Sequence, residues 1–301
     1  MAKRVLFLTS TRADFGKSKP LIKALEQEDN FEVHIFVTGM HIFSKYGSTG
    51  DEVKKCGFKN IHYYINQRPN DSLDIILTNT VTGLSNALCL LRPDMIVVHG
   101  DRIEALAGAI SGALNNFLVA HIEGGEVSGT IDESIRHSIS KLAHVHFVAN
   151  DEAKKRLIRM GEEKNNIYVI GSPDIDLMLY GALPTLEEAK KYYGVPFDGR
   201  YSLLIYHPAT GNLHRVFNDF RELMDAVRES KRNYILIYPN NDPGADVIIE
   251  EIELHRNNPH FKIFPSLRFE YFLVFLKNCE FIIGNSSAGI REAPIYSVPS
   301  I

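Results

Sequence analysis

The sequence predicts a doubly wound α/β protein built from two Rossmann-like domains facing a cleft. Three observations carry that prediction. Short β-branched runs alternate with helix-length segments, the alternation restarts after about residue 200, and polar residues gather at the ends of the runs. The first series of runs is 4–10 (RVLFLTS), 32–39 (EVHIFVTG), 95–101 (MIVVHGD), 117–125 (FLVAHIEGG), 144–150 (HVHFVAN) and 167–173 (IYVIGSP). Helical segments lie between most of them, for example 102–114 and 132–143. The second series is 202–210 (SLLIYHPAT), 234–242 (YILIYPNND), 261–267 (FKIFPSL) and 279–287 (CEFIIGNSS). The segment GSPDIDLM after Gly171 reads as the hinge, which gives an N-terminal domain over 1–172 and a C-terminal domain over 173–301. The run IYSVPSI at the end reads as the start of a further buried strand, so the second domain is expected to be incomplete.

Composition narrows the function classes. A chain of 301 residues, 45% of them apolar, can pack two cores, and its net charge of −4 gives no bulk attraction for nucleic acid. No continuous apolar run reaches membrane-spanning length, and MAKRVLFLTS is too short in its apolar part for a signal peptide. Cys56, Cys89 and Cys279 are few and widely spaced, which points to a reducing, cytoplasmic setting and away from a zinc cluster.

In such sheets ligands bind beyond the carboxyl ends of the strands. The first run leads into STRADFGKSK. Gly16, Lys17 and Ser18 match the end of a Walker A loop, but Thr11 stands where its first glycine is required, so that reading is rejected. Arg12 and Lys17 still lie between a strand and a helix start, as an anion site or as a solvated basic loop. HGDR places His99, Asp101 and Arg102 at another run's end, where Asp101 either caps the next helix or serves as an active-site carboxylate.

The densest chemistry is HIEGGEVSGTIDESIRH. Thr130 and Glu133 fit a capping box, and Asp132 suits the first turn of a helix. Glu123 has no such structural excuse, because it follows an apolar strand and precedes two glycines. A metal held by His121, Glu123 and His137 is disfavoured, since no HExxH or cysteine pair accompanies them. His144 and His146 read as packed or hydrogen-bonded. In the second half, His207, Asn240 and Asp242 end strands, and GNSSAGIRE opens a helix with Ser286 and Ser287 as an anion cradle or a plain serine cap.

Together TRADFGK, VHGDR, HIEGGEVSGTIDESIRHSISKLAH, HPAT, PNND and GNSSAGIRE resemble the hydrolysing UDP-N-acetylglucosamine 2-epimerases, in that order and over nearly the whole chain. The resemblance implies a GT-B-like fold that holds UDP between its domains. It also implies conversion of UDP-GlcNAc and water to N-acetylmannosamine and UDP, without metal or other cofactor. By that resemblance, Asp101, Glu123 and Asp132 are the catalytic carboxylates, with His121, Arg136 and His137 beside them. Arg12, Lys17, Arg102, His207, Ser286, Ser287 and Glu292 fall on nucleotide- or phosphate-contacting positions, and Asn240 on the sugar site. HPAT and SSAGIREA, with Ala293 where a second carboxylate could stand, favour the hydrolysing branch over the non-hydrolysing one. The alternatives are a hydrolysing epimerase for UDP-N,N'-diacetylbacillosamine, a glycosyltransferase, or a non-catalytic nucleotide-sugar-binding module. A homodimer or homotetramer is expected, with no nucleic-acid or membrane partner.

Overall fold

A computed structural model describes residues 2–301 except 44–46, 48, 70, 130, 209–212 and 243, and only the backbone at 213–215. The chain divides into two compact units, Met1–Asp176 and Leu177–Ile301.

The first unit holds strands β1 (Lys3–Thr9), β2 (Phe31–Val37), β3 (Asn60–Tyr63), β4 (Met95–His99), β5 (Leu118–Ile122), β6 (Val145–Val148) and β7 (Ile167–Val169). Its helices are α1 (Arg12–Glu26), α2 (Gly50–Lys55), α3 (Leu73–Leu91), α4 (Ile103–Leu114), α5 (Ile131–Leu142) and α6 (Asp151–Arg159), and α7 (Pro173–Tyr180) leads into the second unit. The seven strands form one parallel sheet in the order β3-β2-β1-β4-β5-β6-β7. The order therefore reverses between β1 and β4, and a crevice opens at their carboxyl ends.

Strand β1 shows why the sheet is covered on both sides. Val5 and Phe7 pack with Phe15, Ile22, Val33 and Ile35, while Leu6 and Leu8 pack with Leu84, Leu88, Ile96 and Val98. A strand buried on both faces reads as a continuous apolar run rather than an alternating one, which is the signal the sequence carried. Strand β3 was not foreseen. Its residues NIHY are mostly half-exposed at the sheet edge, so they never form an apolar run.

Helix α3 bears on the expectation about apolar length. It is, among the described residues, long and apolar enough to cross a bilayer, although polar side chains interrupt its sequence. Ile76, Thr80, Gly83, Leu84 and Leu88 form its buried stripe, and Leu84 and Leu88 join the β1 core.

The second unit holds α8 (Leu186–Tyr193), β8 (Ser202–Ile205), α9 (Leu213–Glu229), β9 (Tyr234–Ile237), α10 (Ala245–Leu254), β10 (Phe261–Phe264), α11 (Phe269–Lys277), β11 (Ile282–Gly284) and the single turn α12 (Ala288–Arg291). Its parallel sheet runs β10-β9-β8-β11, so its order reverses between β8 and β11. Leu203, Ile205, Ile235, Ile237, Phe275 and Ile282 fill one core. At the end of β11 the backbones come unusually close. Gly284 has φ +129, and a Cβ there would stand 2.0 Å from the carbonyl oxygen of Ile205. The run read as the start of a further strand pairs in parallel with the outer edge of β11: the Ile282 amide donates to the Pro299 carbonyl at 2.9 Å, the Gly284 amide to the Ile301 carbonyl at 3.0 Å and the Ile301 amide to the Ile282 carbonyl at 2.9 Å.

Candidate active site

In the first unit the site starts where β5 ends. Glu123 follows Ile122 directly, and its amide still donates to the carbonyl of Phe147 at 2.9 Å, continuing the ladder to β6. Its φ is +62, a left-handed conformation that costs a residue with a Cβ about 1–3 kcal/mol. The next residues, Gly124 and Gly125, turn the chain away. Gly125 has φ +77, and a Cβ on it would meet the carbonyl oxygen of Ala153 at 2.6 Å. The turn leaves the Glu123 side chain buried, with only 3% of the residue exposed.

Three side chains reach that carboxylate, and Asp174 joins two of them. Lys17 Nζ lies 3.6 Å from Oε1 and also 3.3 Å from Asp174 Oδ2. Ser172 Oγ donates to Glu123 Oε1 at 2.7 Å and also contacts Asp174 Oδ1. His99 Nε2 lies 3.4 Å from Glu123 Oε2. The sequence left Lys17 as an anion contact or as part of a solvated basic loop. The loop alternative fails: Lys17 is buried in α1, its ammonium between two carboxylates. Ser172 and Asp174 were missed as site residues because GSPDIDLM was read only as a hinge. The available signal was a serine and an aspartate at the carboxyl end of a strand.

Helix α1 begins at Arg12, so Arg12 is helical rather than a loop residue. Its N-cap is Thr11 in a capping box, whose Oγ1 accepts from the Asp14 amide at 3.2 Å while Asp14 Oδ2 accepts from the Thr11 amide at 3.0 Å. One guanidinium nitrogen of Arg12 pairs with Glu52. Nε and Nη1 are buried without a hydrogen-bond partner among the described residues.

At the end of β4, Asp101 does not cap α4. Arg102 occupies the N-cap, and Asp101 pairs with Arg136 from α5. That removes the capping alternative, since a carboxylate held by a guanidinium has left the helix start. Arg136 Nη1 also donates to the carbonyl of Glu126 at 3.3 Å, tying the glycine loop to the same cation. Arg102 Nε lies 3.8 Å from Glu104 Oε2, and burial pushes the Glu104 carboxyl above the usual range.

His121 corrects another expectation. It is fully buried, its Nε2 contacts the carbonyl of Gly100 at 2.8 Å and its Nδ1 contacts Ser140 Oγ at 3.0 Å. Burial lowers its pKa to about 3, so the ring is neutral. With both nitrogens engaged and the side chain buried, it supports the loop before Asp101. His137 lies 3.9 Å from Glu133 on the same helix. Glu133 accepts from the amides of Ser128 and Gly129 at 2.8 and 2.9 Å, which lowers its pKa and fits the capping role. Thr130, the expected N-cap, lies outside the described residues. Asp132 is exposed in the first turn of α5. His144 Nδ1 accepts from the Val119 amide at 3.2 Å, and His146 lies 3.4 Å from Glu162, so both are structural.

In the second unit the site again falls at the reversal of strand order. Asn285, just after β11, exchanges two bonds with the His207 backbone after β8: His207 N donates to Oδ1 at 2.6 Å and Nδ2 donates to the His207 carbonyl at 2.8 Å. The Asn240 amide donates to His207 Nδ1 at 3.3 Å. His207 and Asn240 are thus together, and Asn285 joins them. Ser286 Oγ accepts from the Ala288 amide at 3.3 Å, and Ser287 makes no side-chain cap. The helix expected there is only the four-residue α12, so any anion attraction comes from hydroxyls and amides rather than a long dipole. Glu292 is buried just beyond it.

Comparison with known proteins places the sequence in a family and the fold among solved structures. The family model described as UDP-N-acetylglucosamine 2-epimerase matches residues 23–301. The UDP-N-acetylglucosamine 2-epimerase of Neisseria meningitidis serogroup B is 50% identical over 299 residues, 99% of this chain and 79% of the relative. The UDP-N,N'-diacetylbacillosamine 2-epimerase (hydrolyzing) of Legionella pneumophila is 34% identical over 303 residues, 99% of this chain and 80% of the relative. A crystal structure of UDP-GlcNAc 2-epimerase from Neisseria meningitidis bound to UDP-GlcNAc shares the fold, with TM-score 0.80 at 18% identity, covering 99% of this chain and 82% of that one. Its like among solved structures is therefore the α/β, two-Rossmann, GT-B-like fold of these epimerases, and the chain belongs to the UDP-N-acetylglucosamine 2-epimerase family.

Proposed function

We propose that the protein is a hydrolysing UDP-GlcNAc 2-epimerase that makes N-acetylmannosamine for sialic-acid-type synthesis. The observation that carries this reading is Glu123: a carboxylate in a strained backbone position, buried, and held by Lys17, Ser172 and His99 at a strand end. A purely binding module gains nothing from that arrangement. The C2 proton of the sugar is weakly acidic, so its removal needs a placed base. As that proton leaves, the C1–O bond to UDP breaks on the opposite face and a C1=C2 glycal forms. Water then adds its oxygen to C1, and C2 takes a proton with inverted configuration. Glu123, Asp101 and Asp132 supply the carboxyl groups for these proton transfers, with Arg136 orienting Asp101. In the first unit Arg12 and Arg102 are the groups to neutralise the departing diphosphate, and in the second the Ser286–Ser287 turn is the nucleotide contact. His207 and Asn240, joined through one hydrogen bond, contact the nucleotide and sugar.

Two similarities support the hydrolysing branch and its pathway: the relative from Legionella pneumophila is itself named hydrolyzing, and a 30% identical Escherichia coli relative is named Polysialic acid biosynthesis protein P7. The first also favours a second reading, in which the substrate is UDP-N,N'-diacetylbacillosamine. Mass spectrometry of products from a panel of UDP-sugars without acceptor decides between them. Free N-acetylmannosamine and UDP are expected. Release of the diacetylated sugar alone supports the second reading, and no turnover of any UDP-sugar overturns both. The three cysteines are free thiols, in keeping with a cytoplasmic enzyme. A homodimer or homotetramer is expected by light scattering.

A further inference from the structure

We propose that Asp174 and Ser172 are positioning residues that set the orientation of the Glu123 carboxylate. The inference rests on the catalytic reading of Glu123 above. Ser172 and Asp174 stand where the chain leaves β7 for α7, and neither has been given a role by the sequence. Their contacts close a ring. Ser172 Oγ reaches Glu123 Oε1 at 2.7 Å and Asp174 Oδ1, and Lys17 Nζ reaches Asp174 Oδ2 at 3.3 Å and Glu123 Oε1 at 3.6 Å. The side chains of Asp174, Glu123 and Lys17 are 3%, 4% and 9% exposed, so the ring is closed off from solvent.

Two features make this a device for orientation rather than a generic buried pair. Both ring contacts to Glu123 fall on the same oxygen, Oε1, which turns Oε2 toward His99. A carboxylate gripped through one oxygen keeps the other directed. Next, the hydroxyl of Ser172 has one proton for two carboxylates. Asp174 and Glu123 therefore depend on the shared ammonium of Lys17, and removing Asp174 frees both Lys17 and Ser172 to move. The backbone of Glu123 is already fixed by its left-handed φ and its bond to Phe147, so the remaining freedom lies in the side-chain torsions that the ring locks. Misplacement of a reacting group by about 1 Å costs on the order of a hundredfold in rate.

The test uses Asp174→Asn, Ser172→Ala and Ser172→Thr in the full chain. For the first two, kcat is expected to fall about ten- to a hundredfold with KM within about twofold, and Ser172→Thr, which keeps the hydroxyl, recovers most of it. In a Glu123→Gln background, Asp174→Asn should add no further loss, because it acts through Glu123. Wild-type kcat in both Asp174→Asn and Ser172→Ala, or a fully additive loss in the double variant, overturns the proposal. A crystal structure of Asp174→Asn gives a readout without substrate: the Glu123 carboxylate should rotate away from its wild-type position, and an unmoved carboxylate overturns the proposal. If the wild-type protein turns over no UDP-sugar, the functional reading fails, while this structural arm still decides the positioning role.

Discussion

The two strand-order reversals are built from different materials. Between β1 and β4 the first unit buries ions: Glu123, Asp174 and Lys17, with Arg136 holding Asp101 nearby. Between β8 and β11 the second unit offers mainly amides and hydroxyls: the Asn285 amide, two serine hydroxyls and a one-turn helix beside the His207 ring, with one buried carboxylate, Glu292, just beyond. Buried ions are costly to desolvate and are kept where charge must be placed, whereas amides and hydroxyls recognise a ligand at low cost. Under the proposed function, the contrast assigns bond making to the first unit and nucleotide retention to the second.

The sharpest way to break that division is Glu123→Gln. Its kcat should drop by about a thousandfold while UDP affinity, read by calorimetry, stays within about threefold. A large loss of UDP affinity with retained kcat would merge the two roles. Next in size, Lys17→Met leaves two buried carboxylates without their shared cation. It should destabilise the protein by about 3–5 kcal/mol in denaturant titrations. An unchanged midpoint would mean the cluster is balanced from elsewhere.

Acid tests the first unit in another way. Burial lowers the pKa of His41 to about 4 and of His121 to about 3, from an ordinary value near 6.5. Both are neutral when folded and take up protons in the unfolded chain. Their contribution is complete above about pH 6.5 and is lost as the pH falls toward about 4, at up to about 2.7 kcal/mol per pH unit for the pair. Stability measured from pH 7 to pH 4 should show that slope, and replacing either histidine by glutamine should roughly halve it. The smallest effect belongs to the second unit. Ser286→Ala with Ser287→Ala should raise KM about tenfold with kcat within about threefold, as expected for losing hydrogen bonds to a charged group. A collapse of kcat instead would place chemistry in the second unit too.

Much of this architecture was legible because doubly covered parallel strands leave continuous apolar runs. Ten of the strands lie within or alongside the segments read from the sequence, and the missed β3 is the half-exposed edge strand NIHY. The observed strands stop earlier than the apolar text, as at Ser202–Ile205, because the tail of each run becomes the site loop. The type of residue at each strand end was readable, but its partner was not. Asp101 could be seen as a cap or a catalytic group, and only the approach of Arg136 from 35 residues away separates the two. His121 was placed beside the catalytic carboxylates by the resemblance. Alternation puts it on the same face of the strand as Glu123, but Ser140 and the Gly100 carbonyl, both distant in sequence, cover its ring. Ser172 and Asp174 escaped notice because their meaning lies in a contact 49 residues distant.

The crowding at Gly284 has a genetic consequence. Every amino-acid replacement there adds a carbon where the Ile205 carbonyl already stands. A saturation-mutagenesis map scored by growth would therefore show position 284 as blank as a reacting residue, for a steric reason alone. Scoring protein abundance beside growth would separate it from Glu123, whose replacements should vanish from the growth map while remaining in the abundance map.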